Sequence, residues 1–133
     1  MGEPTRRILL AEDDRFLRKA AESALLKRGY TVLTAADGDE ALARARDGAP
    51  ALILLDLIMP GRNGFDVLHE LQADAATKRI PVIVLSNLGQ EGDVQRALAL
   101  GAVAYCIKAN LSLQGLVRQV EEVLGTPPAG PGA

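Results

Sequence analysis

The sequence predicts an α/β fold in which a five-stranded parallel sheet is covered by helices on both faces. Five short runs rich in Leu, Ile, Val and Ala alternate along the chain with five segments whose apolar residues recur at helical spacing. The runs that are apolar throughout indicate strands buried on both faces, as in a parallel sheet. Such strands, joined by right-handed helical crossovers, form a three-layer sandwich.

The amino-terminal half supplies two strand–helix units. Its first helix carries an apolar stripe that includes Leu17, Ala21 and Leu25, and Gly29 follows as the residue that ends the helix. The second strand is more polar than the others, which places it at an edge of the sheet. We therefore predict the elements of this half at residues 8–11 (strand), 15–28 (helix), 30–35 (strand) and 39–46 (helix).

The carboxy-terminal half supplies the other three units. In its second helix, Val94, Ala97 and Leu98 are predicted to face inward, and Gly101 to end the helix. Ser112 is the expected N-cap of the last helix. The predicted elements are 51–55 (strand), a helix from about Gly64, 81–85 (strand), 90–100 (helix), 103–107 (strand) and a helix that follows Ser112.

Composition narrows the class of protein. A chain of 133 residues with 48% hydrophobic content suits a single core, and a net charge of −2 without clustered basic residues argues against binding nucleic acid. No apolar stretch is long enough to span a membrane, and residues 1–7 lack the apolar region that a signal peptide would need. With Cys106 as the single cysteine, we expect a cytoplasmic protein without an internal disulfide. The Pro- and Gly-rich residues 125–133 are expected to form a disordered tail.

Polar residues follow the apolar runs at the positions where ligands bind in open α/β sheets, the carboxyl ends of the strands. Glu12, Asp13 and Asp14 follow the first run, Asp56 the third, and Ser86 and Lys108 the fourth and fifth. We expect Asp14 to cap the first helix.

If the first and third strands are neighbours, the carboxylates of Glu12, Asp13 and Asp56 lie together and repel one another. A hard divalent cation removes that repulsion, and Mg²⁺ prefers such oxygen ligands. The alternative is a set of solvated loop acids, which one acidic cluster alone would favour. Two clusters that each end a buried strand favour the metal site.

These residues together resemble the receiver domain of two-component response regulators, over roughly residues 6–124. The resemblance is carried by residues 8–13, residues 56–64, Ser86, Tyr105 and Lys108. It implies a flavodoxin-like fold with strand order 2-1-3-4-5, which agrees with the polar second strand at an edge.

The resemblance implies a role for each residue of the acidic cluster. Asp56 matches the aspartate that attacks a phosphoryl group donated by a histidine kinase or a phosphotransfer protein. Asp13 matches the direct Mg²⁺ ligand, Glu12 its acidic partner, and the backbone carbonyl of Ile58 the third protein ligand.

The resemblance also implies a switch. Lys108 matches the lysine that neutralises phosphoryl oxygen, and Ser86 the hydroxyl that hydrogen-bonds the phosphoryl group. Tyr105 matches an aromatic residue that turns inward after phosphorylation and reshapes the face formed by the last two helices and the last strand. The resemblance therefore implies a signalling domain rather than an enzyme. Its target would be a downstream protein or an output domain, and phosphorylation could also drive the formation of a dimer.

The sequence departs from the family pattern at two positions beside the site. Ala109 follows Lys108 where the family usually has proline, so we predict a trans Lys108–Ala109 peptide. Asn87 follows Ser86 where a small residue is common, and it would narrow the entrance to the site.

Two apolar side chains are predicted to slow the loss of the phosphoryl group. By resemblance, Ile58 and Leu88 lie closest to the approach of a hydrolytic water, and neither can orient that water. Asn87 could hold a water, but it is a single polar group against two blocking ones. We therefore expect slow self-dephosphorylation.

Other functions fit the sequence less well. An aspartate-based phosphatase would need an Asp-x-Asp motif on the first strand, and a flavin carrier of this fold would need a Ser/Thr/Gly-rich loop after that strand. Glu12-Asp13-Asp14 supplies neither. A receiver used only as an unphosphorylated scaffold, and the receiver of a larger regulator with an output domain, stay open as alternatives.

Overall fold

The computed structural model describes residues 6–87 and 90–125, so Leu88 and the predicted tail beyond Gly125 lie outside the described residues. No helix within these two stretches combines the length and the apolar character needed to cross a bilayer. The elements are β1 Arg7–Ala11, α1 Arg15–Lys27, β2 Thr31–Ala35, α2 Gly38–Gly48, β3 Leu52–Asp56, α3 Gly64–Ala73, β4 Val82–Ser86, α4 Glu91–Ala99, β5 Ala104–Ile107, a 3₁₀ turn Lys108–Asn110 and α5 Leu113–Leu124.

The five strands form one parallel sheet in the order β2-β1-β3-β4-β5, as predicted. The polar strand β2 lies at an edge, where most of its residues are partly or fully exposed. The central strands β3 and β4 are buried at every position. The continuous apolar runs in the sequence therefore correspond to strands covered on both faces.

Two separate cores lie on the two faces of the sheet. The first, covered by α2, α3 and α4, we call the α2–α4 core. The second, covered by the two helices α1 and α5, we call the α1–α5 core. Buried residues of the α2–α4 core include Leu9, Ile53, Leu68, Val84 and Ala97. Buried residues of the α1–α5 core include Leu10, Leu25, Leu54, Ile83 and Val120.

Helix ends follow the predicted local chemistry. The side chain of Asp14 accepts hydrogen bonds from the backbone N–H groups of Phe16 and Leu17, at 2.9 and 3.1 Å, and so caps α1. The Ser112 hydroxyl accepts from the N–H of Gly115 at 3.0 Å and caps α5. Because each cap satisfies N–H groups that lack a partner within the helix, both positions specify where a helix begins.

The predicted inward position of Leu98 is wrong. Leu98 is 45% exposed, whereas its neighbour Ala97 is fully buried and Val94 is partly buried. Successive residues of a helix point about 100° apart. Since α4 turns Ala97 towards the sheet, Leu98 points to the surface.

Candidate functional site

Four neighbouring strands deliver polar residues to the same edge of the sheet. Asp56 and Ser86 are the last residues of β3 and β4, Glu12 directly follows β1, and Lys108 directly follows β5. The register brings these ends level, because Asp56 pairs with Leu85 and Ser86 pairs with Ile107. The parallel topology thus collects residues that are far apart in the sequence.

The predicted acidic cluster is present. Glu12, Asp13 and Asp56 each place a carboxylate oxygen within 4.8 Å of those of the other two. Glu12 is 0% exposed and Asp56 is 2% exposed, whereas Asp13 is exposed. Two buried carboxylates and one at the surface form an acidic pocket that is accessible from solvent on one side.

Lys108 provides the positive charge inside this cluster. Its Nζ lies 2.7 Å from Glu12 Oε1 and 2.9 Å from Asp56 Oδ2. Partial burial alone would lower the pKa of the Lys108 ammonium, but the hydrogen bonds to Asp56 and Glu12 outweigh burial and raise that pKa. Lys108 is therefore a fixed cation shared by two buried carboxylates.

Burial opposes the ionisation of the Glu12 carboxyl group. Desolvation raises the pKa of Glu12 from 4.5 to about 7, against the lowering effect of its hydrogen bonds with Lys108 and the Asp14 N–H. The negative charge of Asp56 raises it further. Burial therefore disfavours the ionised form of this group, and Lys108 offsets part of that effect.

The donor set fits Mg²⁺. The three clustered side chains offer hard carboxylate oxygens, and the repulsion between them is the cost that a divalent cation removes. Glu12 and Asp56 lie at the ends of the neighbouring strands β1 and β3, so the sheet sets the spacing of these two carboxylates. Asp13, as the exposed member, is the ligand nearest to solvent.

The loop after β3 is held by short-range backbone contacts. Asp56 Oδ1 accepts a hydrogen bond from the Ile58 N–H at 3.0 Å, and the Leu57 carbonyl accepts one from the Gly64 N–H at 3.0 Å. The Asn63 side chain caps α3 by accepting from the Phe65 N–H at 2.7 Å. These bonds fix the backbone of Ile58 beside Asp56, while the Ile58 side chain is 60% exposed.

Gly64 is required where the loop closes. A Cβ atom at this position would lie only 2.3 Å from Leu57 Cα and 2.5 Å from the Leu57 carbonyl oxygen. Only a residue without a side chain allows the start of α3 to approach the residue that follows Asp56 so closely.

Ser86 and Tyr105 lie in contact beside the cluster. Ser86 is fully buried, and Tyr105 packs against the α2–α4 core. Burial raises the pKa of the Tyr105 phenol, while a side-chain hydrogen bond with Ser86 lowers it and the charges of Asp93 and Asp56 raise it further. The hydroxyl groups of Ser86 and Tyr105 thus already form a pair that reaches from the pocket towards α4.

Asn87 has a partner that the sequence did not indicate. Its Oδ1 accepts a hydrogen bond from the backbone N–H of Ala109 at 3.1 Å. All peptide bonds within 6–87 and 90–125 are trans, so the prediction for Lys108–Ala109 is confirmed. Asn87 and Ala109 lie just past the paired residues Ser86 and Ile107, a strand register that the sequence alone does not give.

Comparison with known proteins identifies one family. The sequence pattern of the response regulator receiver domain matches residues 8–121. The chain is 38% identical over 118 residues to a gliding motility regulatory protein of Myxococcus xanthus, covering 88% of this chain and 15% of that protein. It is 37% identical over 118 residues to the transcriptional regulatory protein PdtaR of Mycobacterium tuberculosis, covering 87% of this chain and 55% of that protein. The chain therefore spans only part of the length of these curated relatives.

Solved structures give the same result. The chemotaxis protein CheY4 of Vibrio cholerae superposes with a TM-score of 0.84 at 28% identity, covering 90% of this chain and 99% of that one. The receiver domain of a sensor histidine kinase from Pseudomonas aeruginosa superposes with a TM-score of 0.83 at 28% identity, covering 92% of this chain and 100% of that one. That second structure holds a magnesium ion coordinated in its active-site cleft.

Proposed function

The chain belongs to the response regulator receiver domain family, and on that premise we propose that Asp56 is its phosphoacceptor. The observation that carries the proposal is the position of the Asp56 carboxylate, which is 2% exposed, bound to Lys108 and within reach of two further acids. A carboxylate so placed is held in one orientation, as a nucleophile requires.

We infer that the phosphoryl donor is a phosphohistidine of a histidine kinase or of a phosphotransfer protein. An oxygen of Asp56 attacks the phosphorus in line with the leaving nitrogen. The new P–O bond forms as the P–N bond breaks, and the electron pair of that bond returns to the imidazole. Lys108, 2.9 Å from Asp56 Oδ2, is close enough to neutralise the oxygens of the incoming group.

Glu12, Asp13, Asp56 and the backbone carbonyl of Ile58 would hold Mg²⁺. When bound, the ion neutralises charge on the phosphoryl oxygens. Asp13→Ala should abolish phosphorylation, because the exposed acid is the ligand that no other residue of the cluster replaces. Normal phosphorylation of this variant in the presence of a chelator would refute the metal assignment.

We propose that the signal leaves the site through Ser86. A phosphoryl group on Asp56 would draw the Ser86 hydroxyl towards itself, and Tyr105, now hydrogen-bonded to Ser86, would respond. Because Tyr105 packs on the α2–α4 core, its movement would reshape the face formed by α4, β5 and α5. That face would bind a downstream protein, an output domain or a second copy of the chain.

A cytoplasmic location accords with such a role, since kinase-driven phosphotransfer takes place there and Cys106 is a buried free thiol. The protein would act as a phosphorylation-controlled signalling domain and not as an enzyme with a turned-over substrate.

Acetyl phosphate and Mg²⁺ test the phosphoacceptor directly. Intact-mass measurement should show one added phosphoryl group that is lost in base, and Asp56→Asn should gain none. His69→Ala is the matched control, because His69 is an exposed residue of α3 outside the pocket. An unchanged mass in the wild type would leave the scaffold alternative instead.

A further inference from the structure

The loops that follow β4 and β5 are joined by one side-chain hydrogen bond. Asn87, directly after β4, accepts from the N–H of Ala109, the second residue of the 3₁₀ turn after β5. Ser86 directly precedes the first loop, and the second loop carries Lys108. The bond therefore links the two segments that supply the polar groups on one side of Asp56.

The Ala109 N–H needs an acceptor from outside its own turn. The first N–H groups of a helical turn have no partner within it. The residue before this turn, Ile107, has an aliphatic side chain and caps nothing. Asn87 supplies the acceptor from the neighbouring loop.

The two partners are the two residues at which the chain departs from the receiver pattern. A proline at position 109 would have no N–H to donate. Alanine or glycine at position 87 would have no side-chain oxygen to accept. The two departures are therefore complementary, since position 109 supplies the donor and position 87 the acceptor.

The turn that this bond holds is also the origin of the Lys108 side chain. The turn is closed by a hydrogen bond from the Leu111 N–H to the Lys108 carbonyl oxygen, at 3.2 Å. Lys108 spans from this turn to two buried carboxylates, at 2.7 and 2.9 Å. Because a lysine side chain has four flexible carbons, the position of its backbone decides how often the ammonium group reaches both oxygens.

We propose that Asn87 is a positioning residue for phosphoryl transfer, which fixes the Lys108 turn through the Ala109 N–H and so keeps Lys108 directed at Asp56. This inference rests on the proposed role of Asp56 as phosphoacceptor. It opposes the alternative that Asn87 acts only as a bulky group at the entrance, since removing a mere obstruction would speed phosphorylation.

The two roles are separated by four proteins: wild type, Asn87→Ala, Ala109→Pro and the double variant. The measurement is the initial rate of phosphoryl adduct formation from acetyl phosphate at saturating Mg²⁺. Asn87→Ala should be about threefold to tenfold slower than wild type, the effect of losing one hydrogen bond. Once Ala109→Pro has removed the donor, Asn87→Ala should cause no further slowing.

Two controls distinguish positioning from general damage. Asn110→Ala makes the same change at an exposed residue of the Lys108–Asn110 turn and should phosphorylate at the wild-type rate. The affinity for Mg²⁺ should be unchanged in Asn87→Ala, because the carboxylates stay in place. By NMR, the Ala109 amide proton should exchange faster with solvent in Asn87→Ala than in wild type, and this readout does not depend on the fold of Ala109→Pro.

Faster phosphorylation of Asn87→Ala, equal slowing in both backgrounds, or unchanged exchange of the Ala109 amide would each overturn the inference. If the wild type gains no phosphoryl group, the proposed function fails and the positioning role falls with it. If the wild type is phosphorylated and Asn87→Ala matches its rate, only the role of Asn87 is wrong.

Discussion

Replacing Gly64 with alanine tests the close approach that closes the loop after Asp56. The added Cβ would lie 2.3 Å from Leu57 Cα, 2.5 Å from the Leu57 oxygen and 2.7 Å from its carbonyl carbon. Non-bonded carbon atoms rest at about 3.5–4.0 Å, so the shortfall at the nearest atom exceeds about 1 Å. All three atoms belong to the backbone, and no side chain can rotate away to make room.

The backbone must therefore move, and forced overpacking of this kind costs about 1–3 kcal/mol. We expect Gly64→Ala to lower the free energy of unfolding by that amount in urea titrations followed by circular dichroism. The displaced segment adjoins Asp56, so the rate of phosphorylation from acetyl phosphate should fall as well.

Gly92→Ala is the matched control. Gly92 lies in the first turn of α4, and a Cβ added there would meet no atom within 4 Å. Since alanine favours helix over glycine by up to about 1 kcal/mol, this variant should be as stable as wild type or more so. If Gly64→Ala unfolds and phosphorylates like Gly92→Ala, the tight contact with Leu57 does not exist in solution.

Three further predictions concern the charges and the apolar groups of the site. Lys108→Met should lower the free energy of unfolding of the metal-free protein at pH 8 by about 3 kcal/mol, because two buried carboxylates lose their shared cation. Adding Mg²⁺ should restore most of the lost stability, and a loss that Mg²⁺ does not reverse would contradict the reasoning. As a control, replacement of an exposed lysine in Lys78→Met should change the free energy of unfolding by less than about 0.5 kcal/mol. Folding raises the pKa of Glu12 from 4.5 to about 7, so the folded chain binds the carboxyl proton of Glu12 more tightly than the unfolded chain does. The stability that this proton contributes is therefore complete below about pH 4.5 and is lost as the pH rises through about 7. Urea titrations in chelator should therefore show Glu12→Gln gaining stability relative to wild type between pH 5 and pH 8, and parallel curves would exclude the shifted pKa. The double variant Ile58→Asn, Leu88→Glu should lose its phosphoryl group faster than wild type in excess Mg²⁺, since a polar group can orient a water where the exposed Ile58 side chain cannot; equal decay would show that these residues do not limit hydrolysis.

The fold was predictable because burial leaves a local record in the sequence. Runs that are apolar on both faces marked the central strands, and the N-caps Asp14 and Ser112 marked the starts of two helices. The ends of the strands were predicted less accurately than their positions in the sequence. Asp56 and Ser86 were expected to follow their strands but are the last residues within them, because backbone pairing with the neighbouring strand continues past the point where the side chains become polar.

The partners within the site were harder to predict than its members. The sequence placed Glu12, Asp56 and Lys108 at one edge of the sheet, yet it did not show that Lys108 binds both carboxylates at once. It also gave no sign that Thr77, in a predicted loop, would be buried with its hydroxyl donating to the Leu71 carbonyl at 2.7 Å. Such contacts depend on how separate segments of the chain pack against each other. Neither the hydrophobic periodicity of the sequence nor a helix cap indicates that packing.

The division of the interior into two cores has a consequence for how such a protein can change over evolution. Among residues 6–87 and 90–125, no residue belongs to both the α2–α4 core and the α1–α5 core. Adjacent residues of β5 serve opposite sides, with Tyr105 packed against the first core and Cys106 buried in the second. The sheet therefore separates the packing of the two layers, so a substitution buried in one core does not require the other core to repack. Substitutions in the interior of one layer can then accumulate without disturbing the packing of the other, so the two cores are free to diverge independently.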